Sequence, residues 1–207
     1  MQPFEIIRDI ILRLEAYLET GGMVMLPLAA VSLVMWLLIM DRALFFRRLH
    51  RKNMNFRTAW EHVREGRRPD PGRFSGAISL MATQFIAARS GNGELDRFIL
   101  DETVLRINRS LTDHLAVIGV LAAIAPLLGL LGTVSGMITT FDVLALFGTG
   151  NAKAMAGGIS EALITTQTGL LVAIPGLYMK GFLDRRARNL QQRVSAAGFY
   201  LRRHLGC

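Results

Sequence analysis

Glu161 is the residue on which any chemistry in this chain would turn. It is the one residue charged at neutral pH between Lys153 and Lys180, a run of 26 residues otherwise suited to a bilayer. A charge near the bilayer centre costs about 2.5–3.5 kcal/mol on insertion scales, so such an acid is a functional candidate by default. On an ideal helix Thr165 lies about 40° and Thr168 about 20° from Glu161, forming one polar stripe, whereas Thr166 falls about 140° away. Gln167 adds a further polar group beside it. A carboxyl followed by hydroxyls can pass protons, or it can hold a charged partner helix, and the residue types leave both open. The plainer alternative is that Glu161 reaches out to the surface or caps the helix start. Glutamate is short for that purpose beside lysine or arginine, and its side of the helix continues as polar residues.

A second stripe answers the first. Gly129, Gly132, Thr133, Gly136 and Thr140 recur at i, i+3, i+4, i+7 and i+11. Small residues at this spacing let membrane helices approach closely. Packing is the preferred reading for the three glycines, while Thr133 could serve either packing or a polar path. Pro126 and Pro175 are expected to bend their helices, which membranes tolerate.

Enzyme chemistry has no foothold here. The four histidines, His50, His62, His114 and His204, are scattered, and the lone cysteine is Cys207. No disulfide can form within one chain and no ligand spacing suggests a metal. An intramembrane enzyme needs a nucleophile with a base, paired acids or a metal cluster. No His, Cys or second carboxylate accompanies Glu161 inside a span, so neither an enzyme nor a bound cofactor is expected.

The elements that must carry these residues are three apolar runs. Met23–Met40 has 18 residues without a charge and Leu115–Phe141 has 27; the third is the Glu161 run. About 20 helical residues cross a hydrocarbon core of roughly 30 Å. The chain is therefore expected to be an all-α integral membrane protein with three transmembrane helices, at 23–40, 114–141 and 158–180, and with long helices extending into the cytoplasm. Net charge is +8, but its placement argues for topology and against nucleic acid. Residues 41–113 carry 14 Lys/Arg and residues 180–207 carry seven, against one in 142–157 and two in 1–22. Basic segments stay cytoplasmic. The N-terminus and the 142–157 loop are expected outside; the basic region 41–113 and the tail 181–207 are expected inside. Six charges in residues 1–20 leave no continuous apolar core for a signal peptide, so the first membrane helix would act as an uncleaved anchor.

Residues 4–18 read as an amphipathic helix, with Ile7, Ile10, Ile11, Leu14 and Leu18 opposite Glu5, Arg8, Glu15 and Glu19. It would lie on the outer membrane surface or pack on a neighbouring subunit. Within 41–113, helix is expected to about Gly66, a loop over Gly66–Gly72, helix again over Ser75–Arg89, and a break at Ser90–Gly93. From Glu94 nothing obvious interrupts the chain, so one rod is expected to run into the second span. The tail from Asp184 to Leu205 also reads as basic helix.

Two segments carry a resemblance. Ala125-Pro126-Leu127-Leu128-Gly129-Leu130-Leu131-Gly132-Thr133-Val134-Ser135-Gly136-Met137 resembles the signature of the MotA/TolQ/ExbB family. So does Gly157-Gly158-Ile159-Ser160-Glu161-Ala162-Leu163-Ile164-Thr165-Thr166, followed by Gly169-Leu170 and Ala173-Ile174-Pro175. Three spans and this length resemble the ExbB and TolQ branch more than MotA, which has four. The resemblance implies a homopentameric ring in the bacterial inner membrane, around two single-span partner helices of the ExbD/TolR type. It implies that Thr133, Glu161 and Thr166 line the interior, with Thr165 a second-rank neighbour. The implied transported ion is H⁺, although an acid and hydroxyls could also handle Na⁺. The implied output is mechanical work on an envelope protein such as TonB or TolA. The short outer N-terminus, about 22 residues, departs from some ExbB proteins and leaves the output system open.

Overall fold

A computed structural model describes Arg8, Tyr17, Thr20–His50, 54–70, Phe74 and Gly76–Leu205. All regular structure among these residues is helical: α1 (Met25–His50), α2 (Phe56–Glu65), α3 (Ala77–Ala88), α4 (Gly93–Thr112), α5 (Leu115–Phe147), a 3₁₀ turn (Gly148–Gly150) and α6 (Ala152–His204). Helices containing the three apolar runs are long and apolar enough to cross a membrane. The amphipathic helix read over 4–18 lies outside the described residues, Arg8 and Tyr17 apart.

The chain forms two compact units: residues 1–38 with 117–179, and residues 39–116 with 180–207. In the first unit, α1, α5 and α6 pack through Met25, Leu28, Ala125 and Ala173, joined by Val31, Leu128, Ile164 and Val172. α5 and α6 run antiparallel, because Gly129 meets Thr166 and Gly169 while Gly136 meets Gly158 and Ala162. Outward faces of these helices stay apolar, with Leu33, Leu37, Leu127, Ile138, Leu171 and Ile174 all exposed. Helices apolar all round are what a lipid surround or further chains would cover.

The second unit has its own core, in which Phe46, Phe85, Leu100, Ile107, Leu183 and Leu201 are buried. Its short helices are bounded by local chemistry. Asn55 caps the N-terminus of α2, its side chain accepting from the Phe56 N–H, and Gly66 ends α2 in the left-handed conformation at φ 65°. Asn92 caps α4 by accepting from Glu94 N–H at 3.2 Å. Asp96, buried, accepts from Arg89 Nε at 2.9 Å, Ser90 N–H at 2.8 Å and Ser90 Oγ at 3.0 Å. Arg89 also donates to the Val63 carbonyl at 2.9 Å, so one ion pair ties α2, the α3–α4 turn and α4. Burial pushes the Asp96 carboxyl up, but the bonds from Ser90 and Arg89 outweigh this and hold it below the ordinary value.

Three boundaries differ from the sequence expectation. The rod from Glu94 breaks at Asp113–His114, where His114 takes φ 63°. Ser110 and Thr112 turn their hydroxyls onto the Ile107 and Arg109 carbonyls, and buried Arg42 donates to the Ser110 carbonyl and meets His114 Nδ1. Short polar side chains that bond the backbone compete with helix continuation. Residues 142–157 are mostly helical rather than loop: α5 runs to Phe147, Gly148 turns at φ 63°, and α6 starts at Ala152. Apolar Val143–Phe147 simply continues the helix until a glycine allows the turn. The third run and the basic tail form one helix of 53 residues instead of two. Across that join, Lys180 Nζ pairs with Asp184 at 2.7 Å, an i,i+4 pair, and no proline intervenes.

Candidate functional site

α6 presents Glu161 half-buried, nine residues after its first residue. The carboxylate lies against Gly22, the turn residue just ahead of α1, so closely that a Cβ there would collide with it. Nine residues of helix are about 14 Å. Glu161 is thus level with the start of the first apolar run, and α6 projects beyond it by that length. Among the described residues its carboxylate makes no hydrogen bond or ion pair. A half-buried acid without a fixed partner can take up and release a proton, or accept a charged group from another chain.

The threonines divide by environment. Thr165 is wholly buried, packed on Gly132, and its hydroxyl donates to the carbonyls of Glu161 and Ala162 at 3.0 and 3.1 Å. Thr166 is half-buried; its hydroxyl donates to Ala162 O at 2.9 Å and reaches across to Gly129 O at 3.4 Å. Thr133, one turn along α5 from Gly129, is also half-buried and donates to Leu130 O at 2.6 Å. Each hydroxyl that satisfies its donor on its own helix keeps oxygen lone pairs free to accept. Thr168 has a further partner, Tyr17, whose hydroxyl lies 2.9 Å away. The stripe of Glu161, Thr165 and Thr168 therefore faces α5 and the segment ahead of α1. Thr133 and Thr166 sit at the partly open edges of the α5–α6 contact, and neither is hydrogen-bonded to the Glu161 carboxylate.

The glycines set the spacing of α5 and α6. Gly129, Gly132 and Gly136 are all buried, and a Cβ on any of them would press on α6. Thr140, at the end of the same stripe, is buried against Gly158 and donates to Gly136 O at 2.9 Å. Pro126 and Pro175 lie inside continuous helix. Among the described residues no three His, Cys, Asp or Glu side chains converge as a metal site. Gly22, Tyr17 and Arg42 escaped the sequence reading. Gly21-Gly22 reads only as a helix stop, and nothing in sequence pairs it with a residue 139 positions later.

Comparison with known proteins places the site in a family context. A family model described as the MotA/TolQ/ExbB proton channel family matches residues 76–196. The putative biopolymer transport protein ExbB-like 3 of Synechocystis is 33% identical over 167 residues, 76% of this chain and 78% of that one. The biopolymer transport protein ExbB of Helicobacter pylori is 38% identical over 119 residues, 57% of this chain and 81% of that one. The ExbB of Aquifex aeolicus is 40% identical over 83 residues, 40% of this chain, and the match spans only 56% of that protein.

Proposed function

This chain belongs to the MotA/TolQ/ExbB proton channel family, on its ExbB branch, and from that premise we propose that it is the channel subunit of a motor driven by proton flow. Five copies form a ring in the bacterial inner membrane, around two copies of a single-span ExbD/TolR-like partner. The N-terminus faces the periplasm and the C-terminus the cytoplasm, as the distribution of Lys and Arg favours. The transported ion is H⁺, and work is delivered through the partner to an envelope protein of the TonB or TolA kind.

The observation that carries this reading is Glu161: the one carboxylate of the apolar run 154–179, half-buried, and without a polar partner for its carboxylate among the described residues. Protons entering from the outer side would meet it first, with the oxygens of Thr166 and Thr133 as acceptors further in. Each elementary charge crossing 100 mV releases about 2.3 kcal/mol. A few protons per step could therefore drive a substantial movement of partner against ring. The exposed apolar faces of α1, α5 and α6 support an assembly embedded in lipid.

The deciding experiment is proton uptake into vesicles holding the chain with its ExbD-like partner, under an imposed potential and read by a trapped pH dye. Glu161→Gln should assemble as wild type and abolish uptake. Uptake at the wild-type rate in that variant would remove Glu161 from the path. The second reading, a scaffold whose Glu/Thr stripe only docks a partner helix, is favoured by the glycine packing of α5 on α6. A scaffold would pass no protons in wild-type form either.

A further inference from the structure

We propose that Gly22 is a positioning residue for Glu161: its absent side chain and left-handed turn form the seat in which the carboxylate lies. Two features of Gly22 meet at this point. Its φ is +67°, a conformation that costs a residue bearing a Cβ roughly 1–2 kcal/mol. The space its Cβ would take is held by Glu161, the carboxylate oxygen being the nearest atom and Cδ next at 2.6 Å. A second contact holds the same segment on the same face of α6. Tyr17, five residues earlier, is bonded through its hydroxyl to Thr168, seven residues after Glu161. Gly21 N–H in turn donates to Tyr17 O at 3.2 Å, so the turn is tied to the residue that reaches Thr168. Tyr17 and Gly22 therefore both lie on the face of α6 that carries Glu161 and Thr168, and Gly22 limits where the carboxylate can stand.

The consequence is a limit on Glu161's rotamers. A glutamate with three free torsions would sample many positions, including ones reaching out to the surface. Gly22 backbone beside the carboxylate removes part of that range without contributing a polar side chain that would compete for the proton. The seat is a matter of shape and holds whether or not Glu161 carries protons; its functional meaning rests on the proton reading above.

Gly148 supplies the control, since it shares the left-handed turn (φ +63°) but has no atom within 4 Å of its missing Cβ. Gly22→Ala and Gly148→Ala should therefore suffer the same backbone penalty, and Gly22→Ala alone should collide with Glu161. The experiment measures apparent unfolding temperature in detergent and the rate at which dicyclohexylcarbodiimide labels Glu161, followed by intact mass. Gly22→Ala should lower the unfolding temperature about as much as Gly148→Ala, because the flexible carboxylate end can swing aside, and it alone should change the labelling rate several-fold, with Glu161→Gln as the unlabelled reference. A Gly22→Ala labelling rate that matches that of Gly148→Ala overturns the seat. Normal proton uptake by Glu161→Gln would instead overturn the proton role and leave the seat standing, so the two failures are distinct.

Discussion

A Cβ on Gly132 would fall on the side chain of Thr165, and Thr165 is wholly buried. These two residues set how closely α5 and α6 approach, and the rest of the site inherits that spacing. Thr165 cannot retreat, because its hydroxyl is committed to two carbonyls of its own helix.

Gly132→Ala is therefore expected to destabilise the protein by about 1–3 kcal/mol, the usual range for overpacking a tight contact. Gly157, in α6, has nothing within 4 Å of the place its Cβ would take, so Gly157→Ala is the control. It should be neutral or gain up to about 1 kcal/mol from helix propensity. Thermal unfolding of both variants in the same detergent checks the contrast. Equal effects would mean that the small-residue stripe does not determine packing.

The threonines are predicted to separate in function. Thr165→Val removes a hydroxyl that is already satisfied and enclosed, so it should lower stability by about 1 kcal/mol and leave proton uptake near wild type. Thr133→Val and Thr166→Val remove half-exposed oxygens and should slow uptake several-fold with little loss of stability. A reversed order, with Thr165→Val the slow variant, would move the path to the Glu161–Thr168 stripe. Uptake rates and unfolding temperatures measured on the same three preparations decide it.

His114 is expected to prefer glycine over alanine. Its φ of 63° costs a side chain roughly 1–2 kcal/mol, and both substitutions lose the contact with Arg42 equally. His114→Gly should therefore unfold at a higher temperature than His114→Ala. Parity between them would show that the break between α4 and α5 closes into helix when the histidine is gone.

How much of this was legible in sequence depends on range. The three apolar helices were readable because lipid demands length and hydropathy within one contiguous segment, and Glu161 stood out against that background. The Gly129, Gly132 and Gly136 spacing also lies within one helix, so its face could be read. The break at His114 was hidden because it depends on Arg42, 72 residues away, as much as on Ser110 and Thr112. The continuity of α6 past Lys180 was hidden for the opposite reason. A change from apolar to basic residues looks like a boundary, but backbone hydrogen bonding does not respond to it. The seat of Glu161 combines both difficulties, since a Cβ-sized space at Gly22 matters only once residue 161 is beside it.

Asp96 yields the pH prediction. Its carboxyl is nearly inaccessible, and three donors from Arg89 and Ser90 stabilise the charged form. Burial alone would raise its pKa, but these bonds outweigh it, so the folded value lies below the unfolded one of about 3.9. An acid with a depressed folded pKa contributes stability that is complete above the unfolded value and is lost as pH falls through the folded one. Asp96→Asn leaves a donor facing donors and should cost about 1–3 kcal/mol near neutral pH. Because the variant lacks this titration, the gap between it and wild type should narrow as pH drops below about 4. The test is unfolding temperature against pH for both proteins, from neutrality down to acid. A gap that stays constant across that range would show that the Arg89–Asp96 pair is not what holds the turn between α3 and α4.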